Sequence, residues 1–153
     1  MDDDLEAKRR ADYAAHAELL AGLPGGPSLI AQYEHGTSFH DATLLDISLS
    51  MRGKSLVVIE DPYPTILEPG RLLVTFEIGM VIDASLDLFN QNILFGLKLR
   101  RPTDRPDRRN YLPRAVADSD IEFEFEPTCG VYGFIIGRDV SVRWTKVEQA
   151  QRE

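Results

Sequence analysis

The chain of 153 residues has little of what disulfides, thiolate metal clusters and membrane anchors require. Cys129 is the only cysteine, which excludes an intrachain disulfide and a thiolate metal cluster. No apolar run approaches the roughly 20 residues that cross a bilayer, and the acidic residues 2–4 stand where a secretory signal has basic residues before an apolar block. We therefore expect a cytoplasmic protein that is held together by packing.

Positive charge is also scarce. The sequence has 17 basic and 25 acidic residues, a formal net charge of −8. Such a charge repels phosphate backbones and anionic lipid surfaces, so we expect neither nucleic acid nor a membrane as partner. It favours solubility and a basic protein partner.

The opening segment is rich in alanine, leucine and charged residues from Asp4 to Ala21, which predicts one helix. Its apolar face is thin and consists of Leu5, Tyr13, Ala17 and Leu20. Glycines and prolines follow at residues 22–27 and predict a hinge or linker. The expected organisation is a helix with its linker over 1–27 and a single β domain over 28–153.

From there the apolar period changes from about 3.6 to 2, which is typical of half-buried strands. Short turn-forming stretches at 90–92, 127–130 and 137–139 leave no room for crossover helices, so neighbouring strands should be antiparallel. The sequence predicts a mainly β (α+β) fold in which the N-terminal helix precedes about eight antiparallel strands in a sandwich or flattened barrel. The predicted strands are 45–51, 56–59, 72–78, 82–88, 93–99, 121–125, 131–136 and 140–144.

Few residues have the chemistry of a catalytic or metal site. His35 and the pair His40-Asp41 invite a metal interpretation, but adjacent residues that enter a strand point to opposite faces. Cys129 has no histidine near it in sequence to act as a base. We expect no enzyme, metal or cofactor, and a hydrolase that uses His40 or Cys129 is the weaker alternative.

Arginines are concentrated in residues 100–114, where Asp104 and Asp107 interrupt them. An interrupted cluster on an acidic protein favours a solvated loop over a nucleic-acid site. Contact with an acidic patch of a partner is its alternative use. The cluster consists of Arg100, Arg101, Arg105, Arg108, Arg109 and Arg114.

An acidic strip is predicted on one strand, where Glu122, Glu124 and Glu126 recur on one face about 6.5–7 Å apart. Asp83 and Asp87 can extend it. The strip has two interpretations: the wet side of an antiparallel sheet, or a surface that steers and binds a cationic protein. We take these five residues as the candidate partner-binding site.

Three segments in order resemble immunity protein fifty, a family of bacterial polymorphic toxin systems. They are Ser38-Phe39-His40-Asp41-Ala42, the stretch from Leu88 to Leu97, and the stretch from Glu126 to Phe134. The similarity spans about residues 36–147 and leaves out the N-terminal helix. The motif residues in these segments, which we expect to be structural, are Phe39, His40, Asp41, Phe89, Asn90, Gln91, Asn92, Gly96 and Gly130.

The resemblance implies a small cytoplasmic protein that binds and neutralises a cognate toxin domain. Such a protein needs a complementary surface and no reacting group, since a few buried anchors within the interface supply most of the affinity. A module that encloses a small apolar ligand in a barrel is the alternative function.

Overall fold

The computed structural model describes residues 2–33, 36–62, 71–87, 93–94, 96–102, 117–126 and 132–147. Elements are numbered in chain order over these residues. They are α1 (Asp2–Ala21), α2 (Gly26–Ile30), β1 (Thr43–Ser48), β2 (Ser55–Asp61), β3 (Arg71–Asp87), β4 (Leu97–Arg100), β5 (Ile121–Phe125) and β6 (Tyr132–Val147).

The strands form one antiparallel sheet in the order β1-β2-β3-β6-β5-β4, which curls into a half-barrel. At one end the chain segment before β4 reaches β1: Thr43 of β1 pairs with Ile93, and the N–H of Leu94 donates to the carbonyl of Ala42 over 2.8 Å. A mainly β, antiparallel fold with an N-terminal helix is thereby confirmed. The count of about eight strands is wrong, because the described residues form six.

β3 accounts for one of the two missing strands. It runs without a break through the predicted strand 72–78 and through residues 82–87 of the predicted strand 82–88. Its pairing with β6 shifts register between Val81 and Asp83. A bulge at this point therefore joins the two predicted strands into one. A bulge bends a strand and increases its twist without reversing it.

β6 accounts for the other missing strand, since it joins residues 132–136 of the predicted strand 131–136 to the predicted strand 140–144. The predicted turn at 137–139 is wrong: Gly137 and Arg138 stay paired with β3. Asp139 adopts a left-handed backbone, with φ 56°. Left-handed backbone is common in hairpin turns, but at Asp139 it lies within a strand that continues.

The core lies on the concave side of the sheet. At its centre the rings of Phe39, Phe76 and Phe123 meet edge to face, with centroids 6.0 and 5.3 Å apart. All three side chains are at most 1% exposed. Each buried aromatic ring of this kind stabilises the fold by about 2–3 kcal/mol.

α1 packs against β4 through its second half, where His16 and Leu20 are buried. The predicted apolar face is only partly correct, because Leu5 is 61% and Tyr13 41% exposed. Neither helix in the described ranges has the length and apolarity of a membrane span.

The predicted linker, residues 22–27, is docked on β6. The N–H of Val142 donates to the carbonyl of Pro24 over 2.9 Å. Gly25 has φ 84°, and a Cβ there would lie 1.8 Å from the carbonyl oxygen of Val142. α2 follows directly, and the Trp144 indole donates to the hydroxyl of Ser28 over 3.0 Å. The segment is therefore held against β6, whereas its expected role as a hinge or linker and the division into two parts at residue 27 stay predictions.

Candidate functional site

The three segments that resemble the immunity family meet beside β4. The carbonyl of Ser38, in the first segment, accepts the N–H of Leu97, in the second, over 3.1 Å. The carbonyl of Gly96 accepts the N–H of Glu126, where the third segment begins, over 3.0 Å. Backbone bonds thus join stretches that are far apart in sequence, and this junction is the centre of the candidate site.

The first segment enters the sheet through a tight turn. Phe39 and Asp41 have φ of 58° and 66°, and the N–H of Asp41 donates to the carbonyl of Leu94 over 3.0 Å. Left-handed backbone at two non-glycine residues persists only where surrounding contacts hold it. Here burial of Phe39, whose ring also meets the His16 ring edge to face at 6.0 Å, provides that restraint.

His40 and Asp41 contact each other, with 3.0 Å between Nδ1 and Oδ2 and with 53% and 57% of their side chains exposed. The expectation that they point to opposite faces is wrong, because they lie in the turn before β1 and not in the strand. Cys129 and His35 lie outside the described residues. Among the residues that the structure describes, no group of three or more His, Cys, Asp or Glu side chains is arranged to hold a metal ion.

The acidic strip on β5 is neutralised by cations of the neighbouring strand. Arg100 donates from Nε to Oε2 of Glu122 over 2.5 Å, and its Nη2 lies 2.5 Å from Oε2 of Glu124. Lys98 Nζ lies 3.3 Å from Oε1 of Glu126.

The wet-face interpretation of this strip is therefore wrong. Glu122 has no exposed surface, and the side chains of Glu124 and Glu126 are 23% and 14% exposed. The cause is the cross-strand pairing of Glu122 with Arg100 and of Glu124 with Lys98, which brings opposite charges within about 5 Å at the Cβ level.

Asp83 and Asp87 share the face of the strip, since Asp83 is opposite Ile136 in β6 and Ile136 is opposite Glu122 in β5. The aspartates and the strip are therefore about 10 Å apart, with β6 between them. Asp83 is half-buried, and its carboxylate accepts the N–H of Ala84 over 2.9 Å. Asp87 is exposed at the end of β3.

An open cleft of about 960 Å³ lies between α1, the end of β4, the start of β5 and the middle of β6. Its charged lining carries both signs, from Asp12, Glu18, Arg100, Arg101, Arg138 and Asp139. Arg100 and Arg101 belong to β4 and the residue after it, so the predicted arginine-rich loop begins as a strand. Residues 103–114 of that prediction lie outside the described ranges.

Asp120 anchors the wall of this cleft. It is fully buried and accepts Arg138 Nε over 2.8 Å, Arg138 Nη2 over 3.0 Å and the N–H of Ala117 over 2.7 Å. Burial opposes ionisation of this carboxyl, but the hydrogen bonds from Arg138 and Ala117 outweigh it and hold the pKa of Asp120 below its usual value.

A smaller pocket of about 350 Å³ lies on the other side of α1, next to Tyr13, His16, Tyr33 and Thr37. The hydroxyl of Tyr33 donates to Oδ2 of Asp61 over 2.8 Å. Burial, with the nearby Asp61 carboxylate, raises the pKa of Tyr33 far above its ordinary value.

His16 is the principal residue that the sequence analysis missed. It is 2% exposed, accepts the N–H of Leu99 at Nδ1 over 2.9 Å and bonds the carbonyl of Thr37 through Nε2 over 2.7 Å. Its one sequence signal is an aromatic polar side chain within an alanine-rich helix.

Gly96 is the one glycine of the predicted motif residues that the structure describes. It is buried, and a Cβ there would lie 3.0 Å from the carboxylate carbon of Glu126, so the absence of a side chain gives that carboxylate room. Phe89, Asn90, Gln91, Asn92 and Gly130 lie outside the described residues, and their expected structural roles stay predictions.

Comparisons with protein families, with curated proteins and with solved structures found no match for this chain. Its function is therefore inferred from its own residues.

Proposed function

We propose that this chain is a cytoplasmic immunity protein, which binds the cognate toxin domain of a bacterial polymorphic toxin system and neutralises it by covering its functional surface. The observation that carries the proposal is the junction beside β4, where Ser38, Gly96 and Glu126 join the three segments of the resemblance through backbone bonds. Because the three segments bond to one another, the sequence of each one limits what the other two can be. This gives a physical reason why the three segments occur together in one chain.

Charge is the second support. A net charge of −8 attracts a basic partner over a distance of about 8–10 Å at moderate salt. Neutralisation by occlusion requires an interface of about 800 Å² on each partner and no reacting group. An acidic protein with this charge is suited to bind quickly to a basic toxin surface, because electrostatic attraction raises the association rate.

The proposed binding face is the end of β3 together with the partly buried Glu124 of β5 and Glu126 after it. Asp87 is exposed and Asp83 half-buried, while the side chains of Glu124 and Glu126 are 23% and 14% exposed. Glu122 has no exposed surface, so its role in this face is to hold Arg100 in place.

Co-expression tests the function. The proposal expects a large exported protein to be encoded beside this chain, and the C-terminal domain of that protein is the probe, produced in a laboratory bacterium with and without the chain. We expect growth arrest by the domain alone, growth restored by the chain, and a stable complex on size-exclusion chromatography. Growth arrest that persists despite soluble expression of both proteins, with no complex, contradicts the proposal.

The binding face has its own test. We expect Asp83→Asn with Asp87→Asn to slow association about tenfold at low salt and to flatten its dependence on salt, because two charges that attract the partner are lost. The amide that replaces the carboxylate of Asp83 keeps an oxygen for the N–H of Ala84, so the strand is retained. Glu6→Gln with Asp12→Asn on α1 is the charge-matched control. Equal effects of the two double variants show that the face is wrong, while growth rescue tests the function separately.

A further inference from the structure

β4 is an outer strand of the sheet, and two of its N–H groups point away from β5. The N–H of Leu97 donates to the carbonyl of Ser38 over 3.1 Å, and the N–H of Leu99 donates to Nδ1 of His16 over 2.9 Å. Outer strands with free N–H groups pair readily with other chains, and proteins cover them with helices or loops. α1 covers this edge through a histidine side chain.

The geometry fixes the protonation state of that histidine. A backbone N–H only donates, so Nδ1 of His16 must present a lone pair to Leu99. The carbonyl of Thr37 only accepts, so Nε2 must carry the hydrogen. The closed arrangement therefore requires a neutral ring with its proton on Nε2. We call the bonds of His16 to Leu99 and Thr37 the helix–edge contact.

We propose that the helix–edge contact is a proton-operated switch, in which protonation of His16 at Nδ1 breaks its bond to Leu99 and releases α1 from the edge of β4. A proton on Nδ1 would face the N–H of Leu99 within hydrogen-bond distance, so two donors would oppose each other. The ring is 2% exposed, so the closed form gives the new charge little contact with solvent.

The surrounding groups favour the closed form at neutral pH. Burial lowers the pKa of His16; the Thr37 carbonyl opposes this shift, Lys98 of β4 reinforces it, and Glu126 after β5 opposes it. On the helix, Tyr13 lies beneath Lys98, whose Nζ is 5.4 Å from the ring centroid.

Among the residues that the structure describes, the remaining groups near the contact do not supply a counter-charge for a protonated ring. The hydroxyl of Tyr33, across the pocket, donates to Asp61 and keeps its proton. Asp12 lies 3.8 Å from Lys98 Nζ and is directed to that cation. The pKa of His16 therefore stays below its ordinary value as long as α1 is closed on β4.

The direction of the pH effect follows from these two states. With α1 released, the ring is hydrated and titrates near the ordinary value of 6.5. The open form thus binds a proton that the closed form rejects, and acid shifts the equilibrium towards opening. For a released ring with pKa 6.5, the opening constant rises about tenfold between pH 7.5 and pH 5.5.

Amide hydrogen exchange followed by NMR tests the switch on the intact chain. Protection factors, corrected for the intrinsic pH dependence of exchange, are compared for Leu99, for Leu97 and for Val74 in β3. We expect the protection of Leu99 to fall about tenfold from pH 7.5 to pH 5.5. Leu97 keeps its bond to Ser38, so its protection and that of Val74 should stay constant.

Two variants separate His16 from the rest of the chain. His40→Gln replaces an exposed histidine and should leave the response of Leu99 unchanged. His16→Gln removes the titrating group. The protection factor of Leu99 should then be independent of pH, whatever its value at pH 7.5.

Three results would overturn the switch. The first is a protection factor of Leu99 that stays constant although the NMR resonances of the His16 ring show that the ring becomes charged. The second is an equal loss at Leu99, Leu97 and Val74, which means global unfolding. The third is a pH response that persists in His16→Gln or disappears in His40→Gln.

Discussion

Arg100 and Glu122 lie directly opposite each other in β4 and β5, and Nε of Arg100 donates to Oε2 of Glu122 over 2.5 Å. The Glu122 side chain has no exposed surface and the Arg100 side chain is 30% exposed. The pair therefore lies between a surface ion pair and a fully buried one.

We expect Glu122→Gln to lower the free energy of unfolding by about 2 kcal/mol, because a partly buried arginine loses its charged acceptor. Urea denaturation at pH 7 measures the change. The control is Glu6→Gln, which weakens an exposed i,i+4 pair with Arg10 at 3.0 Å and should change stability by less than about 0.5 kcal/mol. Similar effects of the two variants would contradict a structural role for Glu122.

Gly25 is expected to tolerate no side chain. Its φ of 84° and the close approach of Val142 oppose a Cβ, so Gly25→Ala should destabilise the chain by more than about 1 kcal/mol. Fluorescence of Trp144, which is bonded to Ser28 of α2, should report the displaced turn before global unfolding. Gly53→Ala is the control, since its Cβ would make only ordinary contact at 3.5 Å.

We expect the hydroxyl of Tyr33 not to ionise when the folded protein is titrated with alkali. Its pKa is raised by burial and by Asp61, so the native state keeps a phenolic proton that the unfolded state loses above about pH 10. Stability therefore falls as pH rises above that value. Absorbance at high pH should show one tyrosine that ionises only on unfolding, and Tyr33→Phe should remove that step. A step that survives in the variant belongs to another tyrosine.

Asp120 should contribute to stability at neutral pH and lose that contribution in acid. Its pKa is held below the ordinary value of 3.8, so the folded state releases its proton more readily than the unfolded state. Asp120→Asn should cost about 2 kcal/mol at pH 7, and the difference from the parent should shrink as pH falls below 3.8. Denaturation at several pH values measures it. Asp87→Asn, at an exposed position, should change stability by less than about 0.5 kcal/mol.

The strands were predictable because apolar residues alternate along them, and local alternation is a property of the sequence alone. Their number was not, because Gly137 and Asp139 are residue types that favour turns, yet here they lie within one continuous strand. Whether such a stretch reverses the chain depends on the pairing of Arg138 with Met80 and of Val140 with Ile78, about sixty residues away in the chain.

The acidic strip was also predictable only in part. Alternation placed Glu122, Glu124 and Glu126 on one face, and the register with β4 agrees. Their exposure depended on Lys98 and Arg100, which belong to a different strand and of which Arg100 was expected in a basic loop. Periodicity predicts which side chains share a face, but what covers that face is decided by non-local pairing.

His16 was missed for a related reason. Its partners are Thr37 and Leu99, which are 21 and 83 residues away. A lone histidine in an alanine-rich helix has no local pattern that distinguishes an exposed ring from a buried one. Only the packing of α1 on the outer strand gives the residue its role.

The pairing of β3 with β6 also determines how the chain must be assembled. β3 ends at Asp87 and its partner strand begins at Tyr132, so the two central strands of the sheet come together only after everything between them has been synthesised. Until then the apolar side of β3, including Phe76, has no second neighbour. Contacts this distant in sequence slow folding. We therefore expect the chain to need protection from aggregation during its synthesis, before β6 is available to pair with β3.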